Sequence, residues 1–250
     1  MKKQFQIFAA TFVSIAIVSC SKQHVEMPGA TQATTEEMTT SNNSSSVRTI
    51  DPLLVNLDGW FKFNGNLKDQ LKKLPDGIST GRGVLYTTDR KGALNSAINF
   101  NGSYGVNLFK VPQQMHSSIS VWVKYYNANL GTGRSIVSPK AKGLGVHKFQ
   151  AEIGGSIESL PEFSMWIPVD NVSKAWHHFV VTFDDETLRF YMDGQLVKTS
   201  QGEVAVSYPS ILQDYLIGYR GTELFEGSVD DLRFYSRTLT ASDVQKLYNL

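Results

Sequence analysis

The sequence predicts an all-β fold: two antiparallel sheets packed face to face as a sandwich, with one short C-terminal helix. Three observations carry that prediction. Over residues 50–250 short runs alternate apolar and polar side chains with a period of two, and Gly, Asn, Asp and Pro separate them. Asp193-Gly194 stands between two such runs, and this dipeptide suits a type I′ hairpin turn, whose two central residues both need φ > 0. Helical spacing of apolar residues shows at the end of the chain, over 240–248.

Taken in order, the alternation predicts strands at 59–63, 97–100, 105–109, 118–126, 135–138, 145–153 and 163–167. Trp176-His177-His178-Phe179-Val180-Val181-Thr182-Phe183, Leu188-Arg189-Phe190-Tyr191-Met192 and Gln195-Leu196-Val197 then read as a three-stranded meander. Strands follow at 215–218 and 227–235. In the last helix Thr240 is the expected N-cap with Asp243 at the third helical position, and Val244, Leu247 and Tyr248 form the apolar side. The period also assigns faces. Ile119, Val121 and Val123 point to the core and leave Trp122, Lys124 and Tyr126 outside; Phe163, Met165 and Ile167 leave Trp166 outside; Leu188, Phe190 and Met192 leave Arg189 and Tyr191 outside.

The chain has 250 residues, 24 basic and 23 acidic side chains, a formal net charge of +1 and a single Cys. So balanced a charge gives no reason to expect nucleic acid as a partner, and one Cys excludes a disulfide framework or a Cys-based metal cluster. Met1-Lys2-Lys3-Gln4 is a positive start, and an apolar run of 14 residues, 5–18, is short for a membrane span and right for a signal peptide. Ile17-Val18-Ser19-Cys20 resembles the bacterial lipobox, which makes 1–19 a signal peptide and Cys20 the lipidated first residue of the mature chain. Residues 20–49, Ser/Thr-rich and without an aromatic, read as a disordered linker with a reach of roughly 30 Å. Membrane contact is then expected through the lipid alone, at a bacterial outer membrane, on its surface or periplasmic side.

Two blocks carry a family resemblance. Trp176-His177-His178-Phe179-Val180-Val181-Thr182-Phe183 with Leu188-Arg189-Phe190-Tyr191-Met192-Asp193-Gly194, and Phe225-Glu226-Gly227-Ser228-Val229-Asp230-Asp231-Leu232-Arg233-Phe234-Tyr235, resemble the laminin G-like, concanavalin A-like jelly-roll domains of bacterial surface proteins, including lipoproteins of the Bacteroidetes type. The opening Trp60-Phe61-Lys62-Phe63-Asn64-Gly65-Asn66 fits the same pattern. The resemblance implies a jelly roll over 50–250 and, because one architecture serves lectins, adhesins and glycosidases, does not fix the function.

It also implies candidate sites. Calcium would sit where the first and last strands meet, with Asp69 and Asp230 as side-chain ligands and a carbonyl such as that of Gly102 nearby; the alternative is that Asp69 ends a turn and Asp230 and Asp231 pair with Arg233 or cap backbone amides. The Glu-x-Asp-x-x-Glu strand motif of the laminarinase-type relatives, which sets two carboxylates at hydrolytic spacing, does not occur in this sequence. His177 and His178, adjacent on a strand, diverge and cannot share a metal ion. For ligand binding, Trp166, Tyr126, Lys124 and Trp122 combine flat aromatic faces with a polar group, as sugar recognition needs. Tyr191, Tyr235, His178, Arg189 and Arg233 are the other outward groups. The expected function is therefore a non-catalytic, lectin-like glycan-binding module on an envelope lipoprotein. The alternatives are an adhesive or structural module with a protein partner and, behind it, a glycoside hydrolase.

Overall fold

The computed structural model describes residues 50–126, 134–141, 143–149, 152–158, 160–169, 175–202 and 210–250. The signal peptide, Cys20 and the linker expected over 1–49 lie outside them. In chain order the first strands are β1 (Leu57–Phe61), β2 (Ile78–Ser79), β3 (Tyr86–Thr87), β4 (Ala97–Asn101), β5 (Val106–Gln113) and β6 (His116–Tyr125). There follow β7 (Arg134–Pro139), β8 (Gly143–Phe149), β9 (Glu152–Glu158), β10 (Leu160–Pro168), β11 (His177–Asp184) and β12 (Thr187–Met192). The last are β13 (Gln195–Gln201), β14 (Ile211–Ile217), β15 (Tyr219–Arg220), β16 (Glu223–Leu224) and β17 (Glu226–Tyr235), before helix α1 (Ala241–Tyr248).

One sheet runs β13-β12-β11-β6-β17-β4-β3, with β1 also paired to β17; the other runs β10-β9-β8-β7-β14-β5-β2; β15 and β16 form a small separate ribbon. Every pairing is antiparallel. The alternation places its apolar side chains as expected: Phe61, Val121, Phe179, Phe190 and Phe234 of the first sheet share one buried core with Leu108, Val146, Ile153, Met165 and Tyr215 of the second. The sheets approach closely over β9. A Cβ on Gly155 would stand 2.6 Å from a Val181 methyl, so only bare backbone fits there. At the Asp193-Gly194 turn φ is 50° and 81°, the left-handed pair the hairpin signal requires.

The stretch 145–153 expected as one strand is two, β8 and β9, folded back on each other with Phe149 opposite Glu152. The two-residue strands β2 and β3 were too short to show a period.

Helix α1 carries the expected capping box. Thr240 accepts the Asp243 N–H, and the Asp243 carboxylate accepts the Thr240 N–H. Its Val244 and Leu247 pack with Leu53, Leu57, Val180, Tyr191, Tyr235 and Leu239 in a second apolar cluster on the outer face of the first sheet. That sheet is thus buried on both sides around β11 and β12. Tyr191 and Tyr235 do point outward but are 4% and 1% exposed, because helix and chain entry cover them.

Candidate functional site

The four residues expected to bind ligand do not converge. Trp122, Lys124 and Tyr126 lie along β6 and its end on the outer face of the first sheet, whereas Trp166 lies on β10 of the second. A sandwich has two outer faces, and period-two alternation marks outward residues without saying which face they share.

Trp122 drops out as a contact residue. It is 8% exposed, packed in a three-ring cluster with His178 at 5.0 Å and Tyr248 of α1 at 5.7 Å, which are 6.2 Å from each other, and with the Arg90 guanidinium 4.7 Å over its ring. Along the same strand Lys124 is half-buried and Tyr126 is 38% exposed, its hydroxyl 2.5 Å from Ser228 Oγ.

On the second sheet Trp166 is half-buried and stands in a cross-strand row with Gly154 and His147. With no side chain on Gly154 between them, the two rings come within 6.4 Å. His147 Nδ1 lies 3.3 Å from Ser135 Oγ, and Ser164, two residues before Trp166, is exposed. Toward the other edge of this sheet, Ile78 and Leu212 are 58% and 65% exposed. Among the described residues no helix packs on this face.

The most elaborate polar cluster lies on the first sheet, where β17 changes partner. Its first half pairs with β4 up to Val229 and its second half with β1 from Leu232, and Asp230 and Asp231 occupy the fork between them. Asp231 there has φ of 50°. Arg90, from the loop between β3 and β4, donates to Asp230 at 2.6 Å and to Asp231 at 3.0 Å. Arg233 donates to both oxygens of Asp231 at 3.2 Å, and the Trp60 indole N–H reaches Asp231 at 2.5 Å. Trp60 in turn holds the Lys62 ammonium 4.3 Å and the Arg233 guanidinium 4.4 Å from its ring centre. The cleft above has a volume of about 290 Å³ and is lined by Trp60, Lys62, Asn64, Arg90, Lys91 and Asp230, among others.

Burial raises the Asp230 carboxyl to about 7 despite Arg90 beside it. Burial acts on Asp231 in the same direction, but Arg233, the Trp60 N–H and Arg90 outweigh it and hold that carboxyl below its usual range. Beneath α1, burial lowers His178 to about 3, so it is neutral at physiological pH. The side chains of Asp230 and Asp231 are only 4% and 8% exposed. Both are committed to cations of their own chain.

These contacts also answer the calcium expectation for its two carboxylates. Asp69 spends its oxygens on four backbone N–H groups, those of Trp60, Leu71, Lys73 and Leu74, at 2.8–3.2 Å. It is a turn staple, and Asp230 is half of an ion pair, so the two do not fit a shared donor set. Among the described residues no three His, Cys, Asp or Glu side chains are grouped to hold a metal. His177 and His178 diverge as expected: His177 Nδ1 bonds Asp193 at 2.8 Å, and His178 Nε2 bonds Ser120 at 2.8 Å.

Arg90, Lys62 and Trp60 were not singled out from sequence as site residues. The usable signal was the adjacent Asp230-Asp231 pair flanked by Val229 and Leu232 inside a strand, since two buried acids require cations to pair with.

An antiparallel sandwich with one helix-covered face defines the class of fold, and comparison with known proteins narrows it. The chain belongs to the Laminin_G_3 family of the concanavalin A-like lectin/glucanases superfamily, whose model matches residues 105–245. Domain 4 of AbnA, a GH43 extracellular arabinanase from Geobacillus stearothermophilus solved in complex with arabinotriose, is similar at a TM-score of 0.62 and 19% identity, over 77% of this chain and 98% of that one. The binding domain of botulinum neurotoxin DC, solved with rat synaptotagmin II, has a TM-score of 0.62 and 13% identity, over 78% of this chain and 51% of that one. A Danio rerio adhesion G-protein coupled receptor V1 is 31% identical over 84 residues, 31% of this chain and 1% of the receptor. The structural likenesses establish the shared fold.

Proposed function

We propose that this chain is a cell-envelope lipoprotein whose folded domain is a non-catalytic, lectin-like carbohydrate-binding module. The observation that carries the reading is the outer face of the second sheet, where Trp166 and His147 form an aromatic row across Gly154 on a face that no described helix covers. His147 is 6% exposed and backs the row, so the half-buried Trp166 is the ring offered to the apolar side of a sugar, with the exposed Ser164 hydroxyl beside it. The non-catalytic part is supported by Asp230 and Asp231. A glycosidase needs two carboxylates that reach substrate, and these are buried and paired with arginines. The similar arabinanase domain solved with arabinotriose adds weight to sugar over other ligands.

A second reading, protein recognition, is favoured by Ile78 and Leu212, large aliphatic side chains exposed on the same sheet. One experiment separates the two: screening the purified chain against polysaccharides, with calcium and with EDTA, beside Trp166→Ala. Saturable binding to a polysaccharide, lost in Trp166→Ala, is the expected result. No binding to any polysaccharide in either condition overturns the glycan reading and leaves the protein partner.

A further inference from the structure

We propose that the cleft at the fork of β17 is a second ligand site, which takes the carboxylate of an acidic sugar residue. The inference rests on the glycan-binding reading and names a substrate class for a different face of the domain.

Its basis is how the charges around the cleft are spent. Arg90 and Arg233 are neutralised internally by Asp230 and Asp231, so the quartet is a fixed wall and not a free anion trap. Asp89, which lines the cleft together with Leu250, accepts the backbone N–H groups of Lys91 and Ala93 on its Oδ1 at 2.8 Å and keeps its negative charge. Lys62 and Lys91 line the same cleft and make no ion pair among the described residues. Lys62 is also pre-positioned. Asp231 fixes the Trp60 indole through its N–H, and the indole face holds the Lys62 ammonium at 4.3 Å. An incoming carboxylate therefore meets a cation whose rotamer freedom is already lost, which lowers the cost of binding. Asn64, exposed on the same lining, supplies the polar contact that distinguishes a sugar ring from a bare anion.

The test is calorimetric titration of the purified chain with oligogalacturonate, a neutral arabino-oligosaccharide and inorganic sulfate, at low and high salt. The variants are Lys62→Ala/Lys91→Ala and Trp166→Ala. Lys62 is half-buried and Lys91 exposed, and the double variant leaves the buried quartet whole, so its unfolding midpoint should match the parent. Expected are tighter binding of the acidic oligomer at low salt and a loss of about tenfold in the lysine variant, with the neutral oligomer unaffected by that change. Unchanged affinity for the acidic oligomer in the lysine variant overturns the site. Sulfate bound as well as the oligomer overturns the sugar class. Binding of the neutral oligomer alone overturns this site and leaves the module intact; binding of neither overturns both.

Discussion

The two outer faces of the sandwich began with the same sequence signature and ended in opposite states. β6 and β10 each alternate apolar with polar or aromatic residues and send a tryptophan outward. On the first sheet α1 and the Arg90 loop close over Trp122, leaving it 8% exposed against two rings and a guanidinium. On the second sheet Trp166 stays half-buried beside His147. An outward tryptophan is therefore a recognition residue or a core residue according to what the rest of the chain lays over it. Here the covering element comes from the C-terminus, more than a hundred residues away in sequence.

The largest expected effect breaks the comparison at Trp122. Trp122→Ala removes a ring packed against two others and a guanidinium and leaves a void beneath α1, which costs about 3–5 kcal/mol. Trp166→Ala, on an edge of the other face, should cost less than about 1.5 kcal/mol. Urea denaturation of both variants checks this. Equal losses would mean that the two faces are not differently covered.

Much of the fold was legible because its signals are local. The Asp193-Gly194 turn, the Thr240 and Asp243 capping box and the inward sets of β6 and β12 need only neighbouring residues to be read. The site was less so. Asp230 stood out, but its partner Arg90 sits in a polar loop as Asp89-Arg90-Lys91-Gly92, a context that suggests only solvent. Its value comes from a fold that brings it across 140 positions to the fork. For Asp69 the family resemblance implies a calcium ligand and the local sequence allows a turn, and nothing in the neighbouring residues separates an ion from the four amides it accepts. Likewise nothing local parts β8 from β9, since neither Gly, Pro, Asn nor Asp separates Phe149 from Glu152.

A smaller effect sharpens the contrast inside the covered face through pH. His178 is lowered to about 3, so on acidification below 6.5 the unfolded chain takes a proton that the folded one refuses, and stability falls. Asp230 is raised to about 7, so between about 7 and 3.8 the folded chain binds the extra proton and stability rises on acidification. In the parent the two slopes oppose. Asp230→Asn should therefore lose more stability than the parent between pH 7.5 and 4.5, and His178→Gln less. Urea midpoints at the two pH values read this directly, and identical slopes in all three chains would show that neither group titrates as its burial implies.

The smallest effect concerns the cover itself. Thr240 closes α1 by accepting the Asp243 N–H at 3.1 Å, and Asp243 also receives Arg237 at 2.8 Å. Thr240→Ala removes one side of the capping box and should cost about 1 kcal/mol. The loss should be local, because α1 touches the sandwich through Val244, Leu247 and Tyr248 while the main core lies on the other side of the sheet. Fraying of α1 lifts Tyr248 from Trp122, so the Trp122 indole N–H should exchange with solvent faster in Thr240→Ala, with the Trp166 indole unchanged. If both indoles respond alike, opening is global and α1 is part of the sandwich's cooperative unit. If Trp122 alone responds, the difference between the two faces is a property of this one helix.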